Sequence, residues 1–89
     1  MAAAGMIEIL YFGATREAIG RDGERIAVPA GIETLGALVD WLARLSDRHA
    51  AALADRTRLR GAVDQRMAGL DASIVGAREV ALFPPVTGG

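Results

Sequence analysis

The sequence predicts an α+β domain in which one main helix packs on one face of a mixed sheet, and three observations carry that expectation. Met6–Phe12 and Glu79–Phe83 are short apolar runs, each with a single glutamate whose parity marks an outer face, as in half-buried strands. Between them Leu35, Leu38, Val39, Leu42 and Leu45 recur at helical spacing behind Thr34, a favourable N-cap residue. No linker or internal repeat divides the 89 residues, a length that suits one small domain with one core.

Taken in order, Met6–Phe12 reads as the first strand, with Ile7, Ile9 and Tyr11 on one face and Met6, Glu8, Leu10 and Phe12 on the other. Glu8 marks the second face as the outer one. A loop containing Gly20 and the turn-like Arg21-Asp22-Gly23 follows, and Glu24–Val28 forms a second strand stopped by Pro29. The main helix begins after Thr34. Gly36 costs it about 0.5–1 kcal/mol relative to alanine, and Ala37 at the third position forgoes the reciprocal capping box, so packing has to compensate. Trp41 lies on the flank of the apolar stripe as a core edge.

The span Asp47–Asp55 gives a short second helix through Ala50, Ala51, Ala52 and Leu53. A strand is expected around Ala62–Gln65, with Gly69-Leu70 adding a very short one and Ile74 tucked into the core. The closing strand is Glu79–Phe83, in which Val80 and Leu82 share one face and Glu79, Ala81 and Phe83 the other.

Composition narrows the function. A net charge of −1, with the arginines spread from Arg16 to Arg78, leaves no basic footprint for nucleic acid. The absence of cysteine excludes disulfide scaffolds, cysteine zinc clusters, iron–sulfur centres and a thiol nucleophile. Lysine is absent too, consistent with an arginine-favouring genome, so every basic side chain is a guanidinium. His49 is the only histidine, and a surface or helix-packing role suits it better than metal binding or general-base chemistry. Residues 1–5 lack the basic and apolar regions of a signal peptide, and no stretch reaches membrane-spanning length, so the expected address is the cytoplasm.

Two features point outward from the fold. If the first and last strands are neighbours, parity gathers Leu10, Phe12, Ala81 and Phe83 on the face away from the helix, an exposed apolar patch suited to protein docking. Beyond Phe83 the chain reads Pro84-Pro85-Val86-Thr87-Gly88-Gly89. Proline has no N–H and a fixed φ, so Pro84-Pro85 leaves the sheet ladder and holds the chain extended. Glycine has no Cβ, so Gly88-Gly89 can enter a channel too narrow for other residues. From Phe83 to Gly89 an extended chain reaches roughly 20 Å, enough to penetrate a partner's active site while the domain docks outside.

This tail, together with the opening strand from Met6, Arg16-Glu17…Gly20, the central helix and Ala62-Val63-Asp64-Gln65, resembles the small subunits of molybdopterin synthase. Phe-Pro-Pro-Val-Thr-Gly-Gly is the specific motif, because diglycine alone is common to ubiquitin-like sulfur carriers. Two local departures are Asp64, where the family often has asparagine, and Gly76-Ala77-Arg78 in place of an Asp-Gly-Asp-like turn.

The resemblance implies a ubiquitin-like β-grasp domain over residues 6–83, an N-terminal extension over 1–5 and a projecting tail over 84–89. It implies a protein that is not an enzyme on its own. A ubiquitin-activating-type adenylyltransferase would use ATP and Mg to adenylate Gly89, and a sulfur donor protein would then leave a thiocarboxylate there. Pro84, Pro85, Val86, Thr87 and Gly88 would thread the tail into the synthase large subunit, in a heterotetramer, to sulfurate cyclic pyranopterin monophosphate. No cofactor would be bound stably. Rival readings are a sulfur carrier for thiazole or amino-acid synthesis, a ubiquitin-like modifier joined to lysines, and a passive binding module.

Overall fold

The computed structural model describes residues 6–85. The chain runs β1 (Met6–Tyr11), α1 (Gly13–Ile19), β2 (Gly23–Ala27), α2 (Leu35–Ala43), α3 (Asp47–Ala52), β3 (Arg60–Val63), β4 (Arg66–Ala68) and β5 (Glu79–Phe83). The five strands form one mixed sheet in the order β2-β1-β5-β3-β4. β1 pairs antiparallel with β2 and parallel with β5, and β3 pairs antiparallel with both β5 and β4. The first and last strands are therefore central neighbours, as the parity argument required.

Alternation sets the core. Ile7, Ile9 and Tyr11 of β1 and Val80 and Leu82 of β5 point inward, where Leu35, Leu38, Val39 and Leu42 of α2 cover them. Ile19, Leu53, Leu59 and Ile74 complete the cluster, and Trp41 packs at its edge. Thr34 caps α2 as expected, its Oγ1 accepting the Ala37 N–H at 3.1 Å. Gly36 makes a close approach, its N–H donating to Leu70 O at 2.7 Å. Here the missing side chain admits a backbone hydrogen bond, which offsets part of glycine's entropic cost.

Several elements differ from the sequence reading. The segment after Phe12, expected to be a loop, is the helix α1. Thr15 and Ile19, one turn apart, supply its buried stripe, and Gly20 ends it at φ 92 with its N–H on Arg16 O at 2.8 Å. β2 lies one residue earlier than expected, at Gly23–Ala27. The α2 helix stops at Ala43, which leaves Leu45 exposed outside the core.

The strand expected around Ala62–Gln65 is β3, which lies two residues earlier and turns into a hairpin. Asp64 and Gln65 take φ 49 and 70, so they form the turn between β3 and β4 rather than strand. The fourth strand is Arg66–Ala68, and Gly69-Leu70 lies after it. Asp64 ties this hairpin to β5, its Oδ1 accepting Arg78 N–H at 2.9 Å and Glu79 N–H at 3.0 Å. The asparagine-to-aspartate departure thus leaves the turn intact. Strand order, crossover and the helix layer give the β-grasp arrangement that the resemblance implies. Among the described residues no helix is long and apolar enough to cross a membrane.

Candidate functional site

The register of the central strands builds the outer face in rows. Leu10 is opposite Ala81, Ala81 is opposite Ala62, and Ala62 is opposite Met67. This apolar row crosses four strands and ends at Gly23, opposite Leu10 on β2. A Cβ on Gly23 would lie 3.1 Å from Leu10 Cδ2, so Leu10 leans across the glycine. One step toward the tail, Phe12 follows Tyr11, and Phe83 is opposite Arg60. One step the other way lies a charged row, Arg25, Glu8 and Glu79. The tail end of the face carries Phe12 and Phe83 with Arg60 beside them, and the far row is charged throughout.

Sequence reasoning placed Leu10, Phe12, Ala81 and Phe83 together, and the structure brings them together. Phe12 is 48% exposed, while Leu10 and Phe83 are half-buried. Ala81 departs from the expected exposure and is buried at 7%. Its methyl sits in the middle of the sheet between the larger Leu10 and the β3 strand, so it forms floor rather than contact surface. Met67, 68% exposed, was not foreseen. Its place on this face follows only once the Asp64-Gln65 turn fixes the β3–β4 register.

The ladder ends at Phe83, whose partner is Arg60, and Pro84 and Pro85 leave it half-buried. Pro84 borders a hollow of about 250 Å³ between α1 and α3, alongside Ala14, Ala18, Ala51 and Arg58. Val86, Thr87, Gly88 and Gly89 lie outside the described residues.

A second polar cluster is turned inward. His49 is buried at 6% in α3, with Nδ1 2.7 Å from Ser46 Oγ and Nε2 2.5 Å from Glu24 Oε2. Tyr11 donates its hydroxyl to the same Glu24 oxygen at 2.8 Å, and Arg21 donates to Oε1 at 3.1 Å. Ser46 also caps α3, accepting the His49 N–H at 3.1 Å. Burial alone would raise the Glu24 carboxyl, but the hydrogen bonds from His49 and Tyr11 and the charges of His49 and Arg21 hold it below the usual carboxylate range. Burial, and then Glu24 itself, push the Tyr11 phenol well above its ordinary value. The cluster joins β1, β2 and α3, the helix-packing role expected for His49. Among the described residues no three histidine, cysteine or acidic side chains gather as a metal site.

Comparison with known proteins agrees with this architecture. The model of the ThiS family matches residues 9–89. The molybdopterin synthase sulfur carrier subunit of Escherichia coli (strain K12) is 43% identical over 84 residues, covering 94% of this chain and 100% of that one. The subunit of the same name from Haemophilus influenzae is 37% identical over the same shares. Among solved structures, SAMP1 from Haloferax volcanii superposes with a TM-score of 0.70 at 29% identity, over 96% of this chain and 100% of that one. A family match over nearly the whole chain, full-length relatives and a shared ubiquitin-like β-grasp fold place this chain in the ThiS family.

Proposed function

We propose that this protein is the sulfur carrier subunit of a molybdopterin synthase, with the Gly89 carboxylate as the group that carries sulfur. The observation that supports it most is the full-length 43% identity to a subunit of that name, in a chain ending in diglycine. The outer face is consistent with it. Its exposed apolar side chains stand at the edge from which the tail departs, so a partner seated on Phe12, Phe83 and Leu10 is close to the emerging chain.

The chemistry follows from the weakness of a carboxylate as an electrophile. An adenylyltransferase joins a Gly89 oxygen to the α-phosphorus of Mg-bound ATP, with pyrophosphate leaving. Sulfide supplied by a donor protein, its bond to the donor cleaved by a thiol reductant, attacks the carbonyl carbon and AMP departs with the bridging oxygen, which leaves the thiocarboxylate, a nucleophile in a chain without cysteine. In the large subunit that sulfur bonds a carbon of the pterin precursor as an oxygen substituent leaves, water cleaves the resulting acyl–sulfur bond to return Gly89 as a carboxylate, and two carriers in turn supply both dithiolene sulfurs. Proton transfers belong to the large subunit. Pro84, Pro85, Val86, Thr87 and Gly88 make the approach thin enough to enter.

The test is the intact mass of the full chain after incubation with activating enzyme, Mg-ATP and a sulfur source, beside a chain lacking Gly89. A gain equal to one oxygen replaced by sulfur, mapped to Gly89 and followed by dithiolene formation with the large subunit, supports the reading. No gain with an activating enzyme proven active removes it. Likeness to a small archaeal modifier protein favours a second use, as a tag on other proteins. Isopeptide adducts ending in Gly89 on cellular lysines are its signature.

A further inference from the structure

β1 and β5 run parallel and end level, with the Phe12 N–H donating to Leu82 O at 3.1 Å. Beyond that bond one chain turns back and the other leaves. Phe12 is still extended, at φ −130 and ψ 157, and Gly13 takes φ 59, which swings the chain into α1 beside the end of β5. Pro84 packs at that corner. Its Cδ and Cγ both lie 3.5 Å from where a Cβ on Gly13 would be, and its ring closes one wall of the hollow floored by Ala14, Ala18, Ala51 and Ala52. Small side chains line the hollow on α1 and α3, and Arg58 and Leu59 complete it beside the ring.

We propose that Gly13 is a positioning residue for sulfur transfer, acting through Pro84: the corner of α1 sets the direction in which the last residues leave the sheet. This rests on the sulfur-carrier reading. The two prolines make the chain stiff, but stiffness alone does not choose a direction. Five extended residues span roughly 17 Å, so a change of about 10° at Pro84 moves the far end by roughly 3 Å. A misplacement of about 1 Å can slow a reaction about 100-fold, so direction at the root is a rate-determining quantity.

The experiment uses the full chain with its C-terminal thiocarboxylate made by intein thiolysis, so that no activating enzyme is needed. Sulfur transfer is read in a single turnover with the molybdopterin synthase large subunit and its pterin precursor. Affinity for that subunit and thermal unfolding are read in parallel. Asparagine tolerates positive φ, so Gly13→Asn keeps the turn while setting a side chain against Pro84. Pro84→Ala removes the ring from the other side. Pro29→Ala, at a proline remote from the tail, is the control.

The expected result is a loss of about tenfold or more in transfer rate for both Gly13→Asn and Pro84→Ala. Affinity stays within about threefold and the melting temperature falls by only a few degrees, the strain of a side chain at positive φ, while Pro29→Ala behaves as wild type. An NOE between Gly13 Hα and Pro84 Hδ is expected in the free protein. Rates within twofold of wild type in both variants, a loss of affinity equal to the loss of rate, or absence of that NOE overturns the proposal. A wild-type thiocarboxylate that transfers no sulfur is a different result, because it removes the carrier reading itself.

Discussion

Leu10 of β1 and Ala81 of β5 face each other across the one parallel strand pair in the sheet, and Ala81 is buried where Leu10 is half-exposed. The pairing joins the first strand to the last, so residues from both ends of the chain share one surface. A leucine over an alanine leaves a low floor, flanked by Phe12 and Phe83 on the tail side and by Met67 on β4. The raised apolar side chains, rather than Ala81, are the groups available to a partner.

Phe12→Glu is therefore expected to weaken binding to the tail-accepting subunit by about 5- to 30-fold, since covering a half-exposed phenylalanine contributes about 1–2 kcal/mol. Phe12 lies outside the core cluster, so unfolding should shift little. Isothermal titration with the purified large subunit checks the first point and a melting curve the second. Equal affinity for Phe12→Glu and wild type removes the outer face as the docking surface.

Acid should find the Glu24 cluster. Its carboxyl is held below the ordinary range in the folded protein, so the stability it contributes is fully present above the ordinary value of about 4.3. That stability is lost as pH falls from there through the lowered folded value. Tyr11 has the opposite sign, its contribution complete below the ordinary tyrosine range and declining at higher pH. Urea unfolding at pH 7 and pH 3.5 should show a smaller difference for Glu24→Gln than for wild type. An undiminished difference places the acid sensitivity elsewhere.

The strong periodicities were legible and the weak ones were not. β1, α2 and β5 each carry several large apolar residues at one period, so the sequence located them and, by parity, put Leu10, Phe12, Ala81 and Phe83 on one face. α1 carries only Thr15 and Ile19 as its buried pair over seven residues. Its signal was the Gly20 stop together with Ala14 and Ala18 one turn apart, which is easily read as loop. The β3–β4 turn has Asp-Gln where Asn-Gly would have announced it. That obscured the register and with it Met67. The contact of His49 with Glu24 joins residues 25 apart in the chain, and no local pattern encodes it.

Gly61 should resist substitution for a steric reason. A Cβ there would lie 2.7 Å from Leu35 Cδ2, and Leu35 is buried at the start of α2 with 1% exposure. The helix is seated close to β3 because the strand has no side chain at that point. Gly61→Ala is expected to destabilise the fold by about 1–3 kcal/mol through overpacking. Chemical denaturation measures it, and Gly61→Ala combined with Leu35→Val should recover part of the loss, because the shorter side chain makes room.

Asp64 provides the last test, since one carboxylate oxygen accepts two backbone N–H groups at the start of β5 while its own residue sits at positive φ. An asparagine at this position would keep both properties, because its amide oxygen accepts as well and asparagine favours this turn. Asp64→Asn is thus expected to match wild type within about 0.5 kcal/mol. Asp64→Ala should lose about 1–2 kcal/mol, from a strained φ and from two exposed hydrogen bonds whose donors turn to water instead. Amide exchange at Arg78 and Glu79 separates the two causes: Asp64→Ala should speed exchange at both amides, whereas strain alone would destabilise the domain without selecting them. Equal stability of the alanine and asparagine variants would show that the turn holds β5 without this side chain.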